Sequence, residues 1–227
     1  MKKSVNFDEF TDNYNQLLND STKFFSSSEQ YFAQYKVDEV RRSLTSLPSS
    51  ILEYGCGIGR NIHYLKTAYP DAILEGSDIS EASLELARKL NPSINFFNEE
   101  NGFNKAKTYD LIFIAGVFHH IPLLLRDSVI FNLKKRLSPT GSLFIFEHNP
   151  FNPITRNIVD TCPYDEDAIL LKPSEMKSRL SNAKFEIVDT KFCLFIPPKL
   201  KSLIFLERYL SWLPLGGQYR IHARQSI

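Results

Sequence analysis

The chain reads Glu53-Tyr54-Gly55-Cys56-Gly57-Ile58-Gly59-Arg60 at the point where a short apolar run ends and an amphipathic helical pattern begins. Asp78 follows at the end of the next strand-like run. The order strand, glycine loop, helix, strand and acid is typical of a nucleotide-binding βαβ unit. A dinucleotide-binding loop has a glycine where Arg60 stands, so this loop predicts a ligand that presents no pyrophosphate there.

Strand-like and helix-like runs alternate regularly beyond this loop. The alternation predicts an α/β fold with a doubly wound, mostly parallel sheet that carries helices on both faces. A further helix is predicted over residues 173–183, after Pro173-Ser174. The predicted strands cover residues 50–54, 72–76, 94–97, 111–115, 142–147, 185–195 and 218–223.

The domain organisation follows from where the pattern changes. Residues 1–48 have apolar residues at helical spacing and are predicted to form an N-terminal helical cap, which ends where Pro48 breaks the chain. Residues 49–227 are predicted to form one domain, with an insertion at residues 197–217 between the last two strands. At 227 residues, the cap and the domain are expected to form one structural unit.

Four elements carry a family resemblance. Residues 53–59 resemble the first motif of the class I S-adenosylmethionine-dependent methyltransferases, and Asp78 matches the acid on which that family holds the ribose hydroxyls. Residues 109–113, followed by residues 119–121, are similar to the fourth-strand region of the small-molecule branch that includes the ubiquinone and menaquinone methyltransferases. Residues 137–143 resemble the turn before the fifth strand. The resemblance implies a Rossmann-like seven-stranded sheet with an antiparallel C-terminal hairpin.

The resemblance also implies that S-adenosylmethionine is the cofactor, bound beyond the carboxyl ends of the strands. Gly55, Gly57 and Gly59 would let the backbone approach the methionine part of the cofactor, because a side chain there would occupy the ligand's volume. Asp78 would accept two hydrogen bonds from the ribose diol. Its neighbour Ile79 would pack against the adenine ring. A helix N-terminal acid next to Ser80 is the structural alternative for Asp78.

The remaining expected cofactor contacts come from the third strand and the cap. Glu100, with Asn101, would accept from the adenine amino group, although a solvated acidic loop would look the same in sequence. Tyr14 or Tyr35 would lie near the methionine part, unless these aromatic residues serve only packing. The full set expected to bind the cofactor is Glu53, Gly55, Cys56, Gly57, Gly59, Asp78, Ile79, Glu100, Asn101, Ala115 and Tyr14.

Three histidines follow strands at the same edge of the predicted sheet. His119 and His120 come after the fourth strand, and His148 comes after the fifth. A histidine at this edge can act as a general base toward an acceptor hydroxyl, or can position it. Packing and helix capping are the alternatives. These histidines and Glu147 lack the fixed helical spacing of metal ligands, so no metal is expected.

Three segments resemble a bacterial methyltransferase subgroup that often accompanies surface-glycan or lipid-linked glycan biosynthesis. The resemblance implies a small-molecule, sugar or lipid-linked acceptor. Two other classes stay open: an NAD-dependent oxidoreductase, against which Arg60 argues, and a non-catalytic cofactor-binding or partner-binding protein. The three segments are Glu147-His148-Asn149-Pro150-Phe151-Asn152-Pro153-Ile154-Thr155-Arg156, Cys162-Pro163-Tyr164-Asp165-Glu166-Asp167 and Pro214-Leu215-Gly216-Gly217-Gln218-Tyr219.

The composition excludes several classes of protein. Lys and Arg number 27 against 26 Asp and Glu, so no bulk field favours nucleic acid, and no Asn-Pro-Pro-Tyr-type motif follows the fourth strand. The start of the chain lacks a signal-peptide core, and no apolar run reaches the roughly 18–20 residues that span a bilayer. Three widely spaced cysteines form neither a disulfide framework nor a metal-ligand pattern. A cytoplasmic, reducing location is expected, and the sequence does not indicate an oligomeric state.

Residues 199–213 are unusually apolar for a connection at a protein surface. On an α-helix, Leu203, Leu206, Leu210 and Leu213 would form a single stripe. One interpretation packs this whole segment on the sheet or on the cap. The other lets part of it line an apolar acceptor site or rest on a membrane surface as a peripheral contact. In the second interpretation the charged contacts come from Lys199, Lys201 and Arg208.

Overall fold

The computed structural model describes residues 29–100 and 107–226. Within these ranges a seven-stranded sheet has the order β3-β2-β1-β4-β5-β7-β6. The strands are β1 (Ser50–Tyr54), β2 (Ile73–Asp78), β3 (Asn95–Asn98), β4 (Tyr109–Ala115), β5 (Leu137–His148), β6 (Phe185–Cys193) and β7 (Gln218–Gln225). Strands β1 to β5 pair in parallel, and β7 lies antiparallel between β5 and β6. The predicted doubly wound α/β fold with its antiparallel C-terminal hairpin is confirmed.

Helices flank both faces of the sheet. The two hydrophobic clusters follow from the two-residue period of the strands, because successive side chains point to opposite faces. Ile51 and Phe113 belong to one cluster, whereas Leu52, Ile112 and Ile114 belong to the other. The helices are α1 (Glu29–Ser43), α2 (Ile62–Ala68), α3 (Glu81–Leu90), α4 (Arg126–Arg136), α5 (Pro153–Thr161), α6 (Pro173–Asn182) and α7 (Glu207–Leu210), with 3₁₀ helices at Pro163–Asp165 and Pro198–Leu206.

Strand β5 is longer than the sequence indicates. It begins at Leu137, which pairs with Tyr109, whereas the next pair joins Leu111 to Ser142. Residues 138–141 therefore bulge out of the pairing, which places the predicted turn inside the strand. The single long strand carries Glu147 and His148 to the edge where β1, β2 and β4 end.

The predicted cap lies largely outside the described residues, which begin at residue 29. Its described part is α1, whose Val37 and Val40 are buried in the same cluster as β1. The division at residue 48 stays a prediction.

The insertion at residues 197–217 differs from the single α-helix that the sequence suggests. Its first half, Pro198–Leu206, is 3₁₀-helical with a kink at Leu200, and the short helix α7 follows, so no single α-helix carries the four leucines. Leu203 and Leu206 are exposed, and so are Phe205 and Trp212. The whole segment therefore does not pack on the sheet, whereas its packing on the cap stays a prediction, because residues 1–28 lie outside the described residues.

Glu207, an acid, is the side chain that anchors this insertion. It is buried at 6% exposure, and its carboxylate accepts hydrogen bonds from the backbone N–H groups of Leu194, Phe195 and Ile196 at 3.0–3.2 Å. The hydroxyl of Tyr35 donates a further bond to it from α1. One carboxylate thus joins the insertion to the end of β6 and to α1.

Among the described residues, no helix has the length and apolar character that crossing a membrane requires. Cys56, Cys162 and Cys193 are buried, and none of the three forms a disulfide.

Candidate active site

A cavity of about 420 Å³ opens beyond the carboxyl ends of β1, β2, β4 and β5. Parallel strands direct their loops into a common site at this edge, and the volume lies in the range of small-molecule sites, about 300–1,000 Å³. Helix α1 contributes Phe32, Ala33 and Lys36 to the wall, and the 3₁₀ helix Pro163–Asp165 contributes Tyr164 and Asp165.

The glycine loop forms one wall of the cavity. Gly55 has a φ of +69°, and a Cβ there would lie 2.4 Å from Cγ2 of Val117, so only glycine fits between the loop and the end of β4. Gly57 has a φ of +52°, and beyond its chain neighbours no described atom lies within 4 Å of the place a Cβ would take. Gly57 therefore faces open space, into which a ligand can approach the backbone.

Asp78 is fixed at the end of β2. Its Oδ2 accepts from the N–H of Gly57 at 2.7 Å, and its Oδ1 accepts from the N–H of Ser80 at 2.9 Å. Ser80 caps α3 by accepting from the N–H of Ser83. Burial raises the pKa of Asp78, which the backbone hydrogen bonds oppose. Its backbone partners are the N–H groups of Gly57, Ser80 and Ile79, and because a carboxylate offers about four acceptor positions, Asp78 can still accept from a ligand hydroxyl.

Glu53 lies behind the loop, where burial disfavours an ionised carboxylate. It is 1% exposed; its Oε1 accepts from Nδ2 of Asn61 at 2.6 Å, whereas its Oε2 has no hydrogen-bond partner among the described residues. Burial raises the pKa of Glu53 to about 8, against the opposing effect of Asn61 and Lys36. Burial, with the neighbouring charge of Arg60, lowers the pKa of Lys36 to about 8. A positively charged ligand group would stabilise the ionised form of Glu53.

His119 is held by two carboxylates. Its Nδ1 lies 2.6 Å from Oε2 of Glu147, and its Nε2 lies 3.5 Å from Oδ1 of Asp165. Burial disfavours the charged ring, but the two acids outweigh burial and raise the pKa of His119 to about 10. The protonated ring has no lone pair to take a further proton, so in this state it cannot act as the general base.

Glu147 fixes the loop that carries the histidines. Its Oε1 accepts from the N–H groups of Val117 and Phe118 at 3.0 and 2.7 Å, while its Oε2 meets His119. Burial disfavours ionisation, but the charge of His119 outweighs it and holds the pKa of Glu147 below its ordinary value. The acid at the end of β5 thereby positions the tip of β4.

His120 contacts the segment that follows α5. Its Nδ1 lies 3.0 Å from Oδ1 of Asp167, its Nε2 lies 3.3 Å from Oδ1 of Asp165, and Tyr164 packs edge-on against its ring. Sequence reasoning treated this segment only as a mark of a subgroup and missed its place in the site. The available signal was the run of three acids at residues 165–167, which begins two residues after Pro163.

His148 lines the cavity next to His119, with ring centroids 4.9 Å apart. Its ring makes no hydrogen bond to any described residue. Burial and the charge of His119 lower the pKa of His148 to about 4, so the ring is neutral at physiological pH. A neutral ring at the cavity wall has one nitrogen free to accept a hydrogen bond from an acceptor group.

Comparison with known proteins agrees with this architecture. Residues 52–143 match a family model described as a methyltransferase domain. The plantazolicin methyltransferase BpumL, solved with a triazolic desmethylPZN analog and SAH, is 21% identical over 96% of this chain and 93% of that one, with a TM-score of 0.66. The fold is that of the class I methyltransferases. A SAM-dependent methyltransferase of Thermotoga maritima with this fold, described as a possible histamine N-methyltransferase, is 18% identical over 97% of this chain and 98% of that one, with a TM-score of 0.68.

A curated relative matches a shorter part of the chain. Malonyl-[acyl-carrier protein] O-methyltransferase of Halalkalibacterium halodurans is 29% identical over 122 residues, which are 50% of this chain and 44% of that protein. The match thus spans half of this chain and less than half the length of that relative.

Within this class I methyltransferase fold, most residues predicted to bind the cofactor lie at the cavity wall. Glu53 lies behind the loop, and a Cβ on Gly59 would meet Asn91 and Phe96 at 3.0 and 3.4 Å, which indicates packing against α3. Tyr14 and Asn101 lie outside the described residues. The predicted residues at the wall are Gly55, Cys56, Gly57, Asp78, Ile79 and Ala115.

Two expected contacts differ from what lines the cavity. Glu99, not Glu100, lines the cavity, and Arg136 holds its carboxylate with two hydrogen bonds of 2.7 and 2.8 Å. Glu100 is exposed, and β3 ends at Asn98, one residue later than predicted. Tyr35, the alternative to Tyr14, is turned away from the cavity because its hydroxyl bonds to Glu207.

Two of the segments that resemble the glycan-associated subgroup meet in space. Nδ2 of Asn149 donates to the carbonyls of Pro214 and Gly216 at 3.0 and 2.7 Å, and Nδ2 of Asn152 donates to that of Leu215 at 2.6 Å. Thr155 donates to the carbonyl of Gly217 at 2.9 Å. The asparagines after β5 therefore hold the C-terminal end of the insertion beside the cavity.

Proposed function

We propose that this chain is an S-adenosylmethionine-dependent methyltransferase that acts on a small-molecule, sugar or lipid-linked acceptor. One observation carries the proposal: Gly57 faces open cavity space while its N–H is tied to Asp78 at 2.7 Å. A ligand can therefore approach the loop backbone closely, next to an acid that can accept hydrogen bonds from a diol. The loop has Arg60 where a pyrophosphate-binding loop has a glycine.

The residues present fit the cofactor. Asp78 would hold the ribose hydroxyls, and Ile79, which is 57% exposed at the wall, would cover the adenine ring. The backbone at Gly55 and Gly57 would contact the methionine part. Glu53 would supply a buried negative charge behind the loop, where its Oε2 lacks a partner among the described residues.

The bound cofactor would supply an electrophilic methyl group, so the task left to the chain is to orient the acceptor and exclude water. Orientation alone can contribute roughly 7–11 kcal/mol to lowering a barrier. His148 is the imidazole at the wall whose ring makes no hydrogen bond within the described ranges, so it can accept from an acceptor hydroxyl or amine. His119 and His120 would act by position, because carboxylates hold both rings.

The surface around the cavity supports an acceptor with an apolar part. Leu125 and Ile154 line the cavity and are also 53% and 47% exposed, so they form an apolar rim. Leu124 and Phe151, beside them in sequence, are 94% and 48% exposed. A lipid-linked or otherwise apolar acceptor would cover this rim, and the exposed side chains of the insertion would provide a peripheral membrane contact.

Calorimetry with S-adenosylmethionine, its demethylated product and NAD tests the cofactor. We expect saturable binding of the first two and none of NAD. Tight NAD binding without a response to S-adenosylmethionine would support an oxidoreductase instead. Turnover is tested by incubating the protein with labelled cofactor and lipid-linked or sugar metabolites and by looking for a mass gain of one methyl. Cofactor binding without any methylated product across those pools would favour a non-catalytic binding protein.

A further inference from the structure

His119, His120 and Asp165 bring three ligand-type atoms together in the cavity wall. The histidines follow β4, and the aspartate ends the 3₁₀ helix Pro163–Asp165. One nitrogen from each ring and one carboxylate oxygen all lie within 4.8 Å of one another. Sequence spacing could not indicate this set, because the third member comes from a segment more than 40 residues away in the chain.

Two of the three separations between these ligand atoms suit coordination by one ion. Nε2 of His119 and Nε2 of His120 lie 3.5 and 3.3 Å from the same Oδ1 of Asp165. Both values exceed the usual N–H···O range of about 2.7–3.2 Å. Bonds of about 2.0–2.1 Å around a tetrahedral Zn²⁺ place its ligand atoms about 3.4 Å apart.

A second layer of carboxylates holds both rings in the orientation that ligation needs. Nδ1 of His119 meets Glu147 at 2.6 Å, and Nδ1 of His120 meets Asp167 at 3.0 Å. Metal-ligating histidines almost always give their other ring N–H to a carboxylate, a carbonyl or water. The Nε2 atom of each ring lies on the side of Asp165, 3.5 or 3.3 Å from its Oδ1.

Charge also favours a cation at this point. Three carboxylates, those of Asp165, Glu147 and Asp167, surround the two imidazoles. Their negative charge attracts a divalent cation to the space between the ligand atoms.

We propose that His119, His120 and Asp165 bind one divalent transition-metal ion of the Zn²⁺ type, with Glu147 and Asp167 orienting the two histidines. The proposal goes beyond the proposed methyl transfer and does not depend on it. Three protein ligands leave a fourth coordination position, as in catalytic zinc sites. Because all three ligands line the cavity, that position is open to a water or to an oxygen of a bound acceptor.

A cobalt titration tests the site. Protein made without a histidine tag and treated with a chelator is titrated with Co²⁺, in the absence of cofactor and acceptor. We expect one equivalent to bind with the visible absorption of four-coordinate Co²⁺, and Zn²⁺ to displace it. Asp165→Asn should weaken Co²⁺ binding more than about 100-fold, and Asp167→Asn about 10–100-fold, as for an orienting carboxylate. His63→Ala removes an exposed histidine of α2 and should leave the affinity unchanged.

Three results would overturn the proposal. They are the lack of a saturable cobalt band in folded wild-type protein, an unchanged affinity in Asp165→Asn, and an equal loss in His63→Ala. If Asp165→Asn lacks a cooperative melting transition, His120→Gln takes its place, with the same loss expected. A negative cobalt titration leaves the calorimetry with S-adenosylmethionine unaffected, so failure of the metal site and failure of the methyltransferase proposal are distinguishable.

Discussion

Gly57, whose backbone has a positive φ, offers the most direct test of the cofactor pocket. Gly57→Ala places a methyl group in the open space beside Asp78. We expect the affinity for S-adenosylmethionine to fall at least about tenfold, or about 1.4 kcal/mol, because the methyl group occupies volume that the ligand needs. Calorimetry measures the loss, and Gly57→Val should abolish binding while the sheet stays folded.

Gly59→Ala is the matched control for backbone strain. Its φ of +79° makes alanine about as strained as at Gly57, but the new Cβ would face Asn91 and not the cavity. We expect a loss of unfolding free energy of about 1–2 kcal/mol with cofactor affinity near that of the parent protein. Equal losses of affinity in both alanine variants would mean that strain, not lost ligand space, explains the first result.

Single positions also show where sequence reasoning ends. The glycine loop and Asp78 could be predicted because their chemistry lies in consecutive residues and a fixed order of elements. The acid after β3 was misplaced by one residue, since a strand end decides which side chain reaches the wall. Asp165 could not be found, because only the folded chain brings it to His119 and His120.

The insertion depends on one buried carboxylate. Glu207→Ala would leave the backbone N–H groups of Leu194, Phe195 and Ile196 without their acceptor, together with the hydroxyl of Tyr35. We expect the free energy of unfolding in urea to fall by at least about 3 kcal/mol, since each bond to a charged group is worth about 1.5–3 kcal/mol. Tyr35→Phe removes one of the four bonds and should cost less. A loss below about 1 kcal/mol in Glu207→Ala would contradict the anchoring role.

The exposed side of the same insertion predicts membrane contact. Phe205 and Trp212 are 57% and 73% exposed, and Arg208 lies between them in sequence. We expect the parent protein to float with anionic vesicles, and Phe205→Ser or Trp212→Ser to weaken flotation, because each removes an apolar side chain that would enter the lipid interface. Phe131→Ser, at a 54% exposed position on α4, is the control. A parent protein that stays with the soluble fraction rejects the contact.

The helical stripe in this insertion illustrates a different limit of sequence reasoning. The spacing of its leucines is correct for an α-helix, but residues 198–206 follow a 3₁₀ path. The insertion is held at Glu207 and, at its far end, by Asn149 and Asn152. These anchors come from distant parts of the chain, and local periodicity carries no signal of them.

The stability of the molecule should depend on pH through Glu53. Burial raises the pKa of Glu53 from its ordinary value of 4.5 to about 8, so between these values the folded protein binds more protons than the unfolded chain. Its contribution to stability is present below about pH 4.5 and is lost as the pH rises through about 8, with a slope of at most about 1.4 kcal/mol per pH unit. Glu53→Gln should make the decline shallower between about pH 4.5 and 8, as measured by urea unfolding, while the decline that the raised pKa of His119 causes between about pH 6.5 and 10 stays.

The pH profile of stability also depends on Lys36, and Glu85→Gln serves as the control variant. Lys36, whose pKa burial lowers to about 8, should add stability as the pH rises above 8, so its effect falls in a separate window. Glu85→Gln, at an exposed position on α3, should give a pH profile parallel to that of the parent protein. A Glu53→Gln profile that also runs parallel to the parent's would show that Glu53 ionises in the folded protein as it does in the unfolded chain.

The insertion is clamped at both of its stems. Glu207 binds the backbone of residues 194–196 on one side, and Asn149 and Asn152 bind the carbonyls of residues 214–216 on the other. These hydrogen bonds thus hold the insertion on either side of residues 198–206. We expect that this stretch can be exchanged for one of another length or polarity while the cavity stays intact, because none of the described residues that line the cavity comes from residues 198–206. Its sequence is therefore open to variation that the glycine loop and Asp78 do not constrain.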